Sequence, residues 1–133
     1  MKYFTFYELE YSQSAISNNI KNFPTAKQEE NLRLLVENLL DPIRERWGKP
    51  ISIGSGFRNA RVNALVGGAS NSQHMQGCAA DLQTGSIDTN RQLFNLIQSM
   101  GGFDQLINEY GYKWVHVSYN PDGKQRGQVL TIK

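Results

Sequence analysis

The chain contains only two histidines, His74 in SNSQHMQGCAADL and His116 in KWVHVSY, and an aspartate, Asp81, follows the first by seven residues. Imidazole nitrogen and carboxylate oxygen are both good zinc ligands, and three protein ligands with a vacant fourth position make a catalytic metal site rather than a structural one. Gly77 and Ala79 lie between His74 and Asp81, so a loop can bend back closely before a strand carries the carboxylate to the same point. In the run around His116, alternation puts Trp114, His116 and Ser118 on one face of a strand and Val115, Val117 and Tyr119 on the other. Taken singly, His74 reads as a solvated loop residue and His116 as a hydrogen-bonded strand residue. Taken with Asp81, they read as a ligand set.

The elements that position these residues come from the hydrophobic pattern and its stop signals. Thr5 with Glu8, and Thr25 with Gln28, have the spacing of capping boxes and mark two helix starts. Leu32, Leu35, Val36, Leu39, Ile43 and Trp47 recur every three or four residues and form one buried helical stripe, which Pro42 can kink and Gly48-Lys49-Pro50 ends. Ile51 to Ile53 reads as a strand running into the Gly54-Ser55-Gly56 turn, Asn59 to Val66 as a short helix, and Gly67 to Ser72 as a loop. Ala79 to Leu82 is a short strand. Asp88 or Thr89 can cap a helix ending at Gly101-Gly102 whose Leu93, Leu96, Ile97 and Met100 face inward. Asp104 to Glu109 and Trp114 to Tyr119 form a hairpin, and Gln128 to Ile132 is a last strand. Helices first and strands last predict one α+β domain over residues 1–133, a small antiparallel sheet with helices packed on one face and the zinc site at the sheet.

Composition narrows the function classes. The 133 residues carry 14 basic and 12 acidic side chains, scattered along the chain, which gives no electrostatic footprint for nucleic acid. A single cysteine, Cys78, excludes an intrachain disulfide and any multi-cysteine zinc site; it reads as a small buried hydrophobe. No segment has the length and apolarity of a membrane span, and Glu8 and Glu10 interrupt the stretch an export signal needs, so neither membrane insertion nor a signal peptide is expected. The expected state is a monomer, made in the cytoplasm.

Ser72-Gln73-His74-Met75-Gln76-Gly77-Cys78-Ala79-Ala80-Asp81 resembles the S-x-H-x-x-G-x-A-x-D motif of the D-alanyl-D-alanine carboxypeptidase-like metallopeptidases. Trp114-Val115-His116 is similar to their W-x-H element, and Ser55-Gly56-Phe57-Arg58 to their S-G-[FY]-R element. Asn63 with Gly67-Gly68-Ala69 resembles the small subgroup common in bacteriophages. The resemblance implies a zinc-dependent hydrolase of peptidoglycan stem or cross-bridge peptides, acting at the bacterial cell wall, with phage lysis as one setting, and with His74, Asp81 and His116 as ligands. Arg58 would bind a substrate carboxylate or the developing oxyanion through its planar donor fork, Ser72 would add a hydrogen bond to substrate, and Trp114 would either wall the site or contact the substrate. The alternatives are a wall-binding module that kept the metal but lost hydrolysis, and a structural piece of a phage particle.

One catalytic position departs from the family. Many members have an acid three residues before the last histidine, where this chain has the cationic Lys113. A tight Gly111-Tyr112 turn pairing Tyr110 with Lys113 also pairs Glu109 with Trp114 and Ile107 with His116. Paired residues share a face, which makes Glu109 the candidate general base beside the metal; its alternative role is an exposed acid partnering Lys113. Asp104 is a further candidate.

Overall fold

The computed structural model describes residues 1–133 as helices packed on a five-stranded sheet. Helices α1 (Phe6–Glu10), α2 (Gln13–Ser17), α3 (Ala26–Leu35), α4 (Asp41–Trp47), α5 (Ala60–Leu65) and α6 (Ile87–Met100) alternate with strands β1 (Ser52–Ser55) and β2 (Ala79–Gln83) before β3 (Gln105–Glu109), β4 (Trp114–Ser118) and β5 (Gln128–Ile132) complete the chain. Both capping boxes form, with the hydroxyls of Thr5 and Thr25 accepting from the amides of Glu8 and Gln28. α6 differs from expectation. Ser86 is its N-cap, and Thr89 is the third helical residue of a capping box, because Thr89 reaches back to the Ser86 amide and Asp88 is left in the first turn.

The apolar stripe is one helical rod in two parts. Between α3 and α4 a π-helical turn, Val36–Leu40, lets the Asp41 amide bond the Val36 carbonyl, so the widened turn comes just before Pro42, which has no amide to continue the ordinary ladder. Leu32, Leu35, Val36, Leu39 and Ile43 are all buried, while Trp47 is only partly so.

The sheet order is β1-β2-β4-β3-β5. The pairings β1–β2, β2–β4 and β4–β3 are antiparallel. The last pairing is parallel, β5 running alongside β3. After β4 the chain has too many residues for a tight hairpin; it crosses the start of β3, where Gly127 and Gln128 amides bond the Phe103 and Asp104 carbonyls, and emerges on the outer edge. Alternation shows that Gln128 to Ile132 is a strand but carries no information about which edge accepts it.

The two faces of the sheet have different fates. Ala80, Leu82, Leu106, Val115 and Val117 join the α3–α4 stripe and Leu93 and Ile97 of α6 in one core. Asp81, His116, Ile107 and Glu109 lie on the opposite face, Asp81 opposite His116 and His116 opposite Ile107.

Candidate metal centre

His74 lies on a short 3-10 turn, Gln73–Gln76, that ends at Gly77. Gly77 has φ +75°, and a Cβ there would stand 2.4 Å from the Gln28 carbonyl oxygen, so the loop's close return depends on glycine. Two buried-side amides of α3 hold the turn from below: Gln28 Nε2 donates to the Met75 carbonyl at 3.2 Å and Asn31 Nδ2 to the Gln76 carbonyl at 2.9 Å. The chain then enters β2, whose small Ala79 and Ala80 are fully buried and allow Asp81 to face His116 across the β2–β4 ladder.

The S-G-F-R segment acts on His74 from the other side. The Gly56 carbonyl lies 2.7 Å from His74 Nδ1, which fixes that nitrogen as the N–H donor and leaves Nε2 with a free lone pair. Gly56 is confined by Leu9, whose carbonyl oxygen would be 2.3 Å from an added Cβ. Phe57 next to it is buried in the core, and the Arg58 amide bonds the His74 carbonyl at 3.1 Å.

The three candidate ligands converge. One ligand atom from each of His74, Asp81 and His116 falls within a mutual 4.8 Å. Asp81 Oδ1 is 3.3 Å from His74 Nε2 and 3.0 Å from His116 Nδ1. Neighbouring ligands around a tetrahedral zinc at about 2.0–2.1 Å lie about 3.3 Å apart, so the donor set fits that ion with little movement. The two rings meet edge to face, 5.1 Å between centroids. Burial pushes the Asp81 carboxyl up, but the neighbouring imidazoles of His74 and His116 outweigh it and hold its pKa below the ordinary range. The carboxylate is therefore ionised and available to a cation at neutral pH.

Glu109 is in place beside this set. The register pairs Glu109 with Trp114 and Ile107 with His116. Glu109 Oε2 accepts from Trp114 Nε1 at 2.8 Å and lies 3.7 Å from His116 Nδ1. Lys113 is exposed and contacts Glu109 only through its backbone amide. The turn itself departs from the two-residue form: Tyr110 does not pair with Lys113, because Tyr110, Gly111 and Tyr112 are all left-handed and Asn108 Oδ1 captures the Tyr112 amide. Asp104 is committed elsewhere. Its buried carboxylate accepts from Arg126 and from Gln73 Nε2, and these bonds, that of Arg126 foremost, lower its pKa to about 2.

A cleft of about 850 Å³ opens over the three candidate ligands and takes in Arg58, Ser72, Glu109 and Trp114. Arg58 Nη2 is 3.5 Å from Ser72 Oγ, a long contact, and its Nε is buried without a partner. Desolvation lowers the Arg58 pKa while Asp81 and Glu109 pull it back up; at neutral pH it is a half-buried cation short of an anion. Cys78 stays outside the ligand set: its thiol turns to the Gln76 carbonyl, and burial raises its pKa to about 11. Sequence reasoning missed Tyr11 to Ser14, which form one wall, and Arg126 and Ile132, which form another. Their contribution follows from how α2 and β5 dock, and no local motif marks it.

Helices α3, α4 and α6 stacked on one face of a mixed sheet, with two imidazoles and a carboxylate gathered on the other, give the geometry of a candidate mononuclear metal site. The peptidase M15 family profile matches residues 2–118, and the chain belongs to that family. Over 84 residues it is 42% identical to the zinc D-Ala-D-Ala carboxypeptidase of Streptomyces albus G, a match that covers 62% of this chain and 32% of that protein. The chain thus corresponds to about a third of the length of the curated relative it matches.

Proposed function

We propose that residues 1–133 form a single catalytic domain, a zinc metallopeptidase acting on peptidoglycan peptides, with His74, Asp81 and His116 as the zinc ligands. The observation that carries this reading is the convergence of those three donors in a cleft that also holds a carboxylate, Glu109, 3.7 Å from one of them. A binding module needs no such acid. The family and the activity for which the relative is named support the reaction class.

A zinc ion held there supplies Lewis-acid chemistry, polarising a carbonyl and making a water acidic enough to lose its proton near pH 7. The protein's own groups do the rest. Glu109, steadied by the Trp114 indole, accepts the water's proton and returns it to the departing amine, as a general base and then acid. Arg58 supplies the unpaired guanidinium that holds a substrate carboxylate or the oxygen on which charge develops. Ser72 Oγ accepts from the His74 amide at 3.2 Å and keeps the ligand turn in place while facing the cleft. Removal of a terminal D-alanine, the activity in the relative's name, makes the best use of Arg58. Opening of a cross-bridge and a role in phage lysis are finer readings that rest on the motif resemblance.

The test is mass spectrometry of purified peptidoglycan digested with zinc-loaded protein. Loss of one terminal alanine per peptide supports the carboxypeptidase reading, and release of cross-linked partners supports the endopeptidase one. Intact muropeptides with stoichiometric zinc bound would reject both.

A further inference from the structure

The family match ends at residue 118, yet the remaining residues build one wall of the cleft. Arg126 and Ile132 both line it. This segment is firmly attached. Arg126 grips the buried Asp104 through Nε and Nη2, and its amide bonds the same carboxylate; at the far end the Tyr110 amide bonds the Ile132 carbonyl at 2.8 Å.

The parallel register then decides what the segment offers the substrate. Leu130 pairs with Ile107 and Ile132 with Glu109, so both side chains share the face that carries Asp81 and His116. Ile132 is 40% exposed, Leu130 36% and Tyr110 48%, and Tyr110 packs edge to face on Trp114. Large apolar side chains left open together beside a polar centre mark a contact surface. Its occupant follows from the order of the strands. Arg58 follows β1 at one edge, Asp81 and His116 sit on β2 and β4 with His74 on the turn before β2, and Ile132 lies on β5 at the opposite edge. A peptide whose carboxylate reaches Arg58 and whose cleaved bond lies at the ligands must run its acyl side toward β3 and β5. Two strand spacings, about 10 Å, separate β4 from β5, a distance an extended chain covers in about three residues.

We infer that Ile132, with Ile107, Tyr110 and Trp114, forms an apolar subsite that selects an aliphatic side chain on the acyl side of the cleaved bond, within the first two or three residues. This rests on the peptidase reading and on Arg58 as the carboxylate anchor. The subsite discriminates by burial of methylene groups, worth roughly tenfold or more in specificity for each group that fits.

The test uses zinc-loaded full chain and two peptides that differ only in one acyl-side residue, aliphatic in one and acidic in the other. Wild type is expected to favour the aliphatic peptide by at least about tenfold in kcat/KM. Ile132→Ser removes that preference through KM, and Ile132→Val restores most of it. An unaltered preference in Ile132→Ser overturns the inference. Methyl NMR of Ile132 during titration with the same peptides gives a readout free of turnover: a shift with the aliphatic peptide alone supports the subsite, and equal or absent shifts reject it. Failure to cleave either peptide while the methyl still responds counts against the peptidase reading and leaves the subsite standing.

Discussion

The two faces of the sheet are built from adjacent residues of the same strands and do opposite work. On β4, Val115 and Val117 are fully buried against the helices, while His116 between them turns to Asp81; on β3, Leu106 goes to the core and Ile107 and Glu109 to the cleft. A period of two is enough to separate the residues that hold the fold from those that can hold a metal. The difference also shows in what each face tolerates: the core face is satisfied by volume alone, whereas the cleft face keeps an unpaired guanidinium nitrogen and carboxylates in contact with imidazoles.

That contrast can be broken by substitution. The largest effect is expected for Asp81→Ala, which removes the anion shared by the two imidazoles: metal analysis should show loss of zinc and assays loss of all turnover, with the circular dichroism of the fold kept. Retention of zinc would mean that the face binds metal by other donors. Leu106→Ala, one position before Ile107, which pairs with His116, should do the reverse. It costs about 2–5 kcal/mol in urea unfolding as a fully buried leucine and leaves zinc content and turnover per folded molecule near wild type. Arg58→Lys sits between them, keeping zinc while losing a bidentate, charge-assisted contact worth about 1.5–3 kcal/mol, or roughly ten- to a hundredfold in kcat/KM. Unchanged kinetics would make Arg58 a structural residue.

A smaller effect concerns acid. Asp104 has its pKa lowered from 3.8 to about 2 by Arg126 and Gln73. A depressed carboxyl stabilises the fold above its unfolded value and loses that contribution as pH falls through the folded one. Acid unfolding of metal-free protein should therefore include a component between about pH 4 and pH 2 that Asp104→Asn lacks. An identical acid profile in the variant would show that the Arg126 latch adds nothing to stability.

Much of this arrangement is legible in the chain. Thr5, Glu8, Thr25 and Gln28 name their helix starts because capping is a local exchange of hydrogen bonds, and the Leu32 to Ile43 stripe names its buried face because the helical period is short. The Glu109–Trp114 and Ile107–His116 register is likewise local, and the departure from a two-residue turn at Tyr110 does not shift it. Ser86 is lost to Asp88 and Thr89 because three residues within four positions can all cap, and only the bend after Thr84 selects among them. The parallel docking of β5 lies beyond local reading, since it depends on Asp104 and Arg126, 22 residues apart. So does the placement of Ile132 in the cleft.

The central claim is that the polar face is a working centre with Glu109 as its base, and Glu109→Gln tests it most directly when zinc content and peptidoglycan hydrolysis are measured on the same sample. The change keeps the side chain's size and its oxygen for the Trp114 indole but removes the group that takes a proton. One zinc per chain with turnover reduced at least about a hundredfold is the predicted result. Full zinc with normal hydrolysis would contradict it, and the proton would then have to move through another group in the cleft.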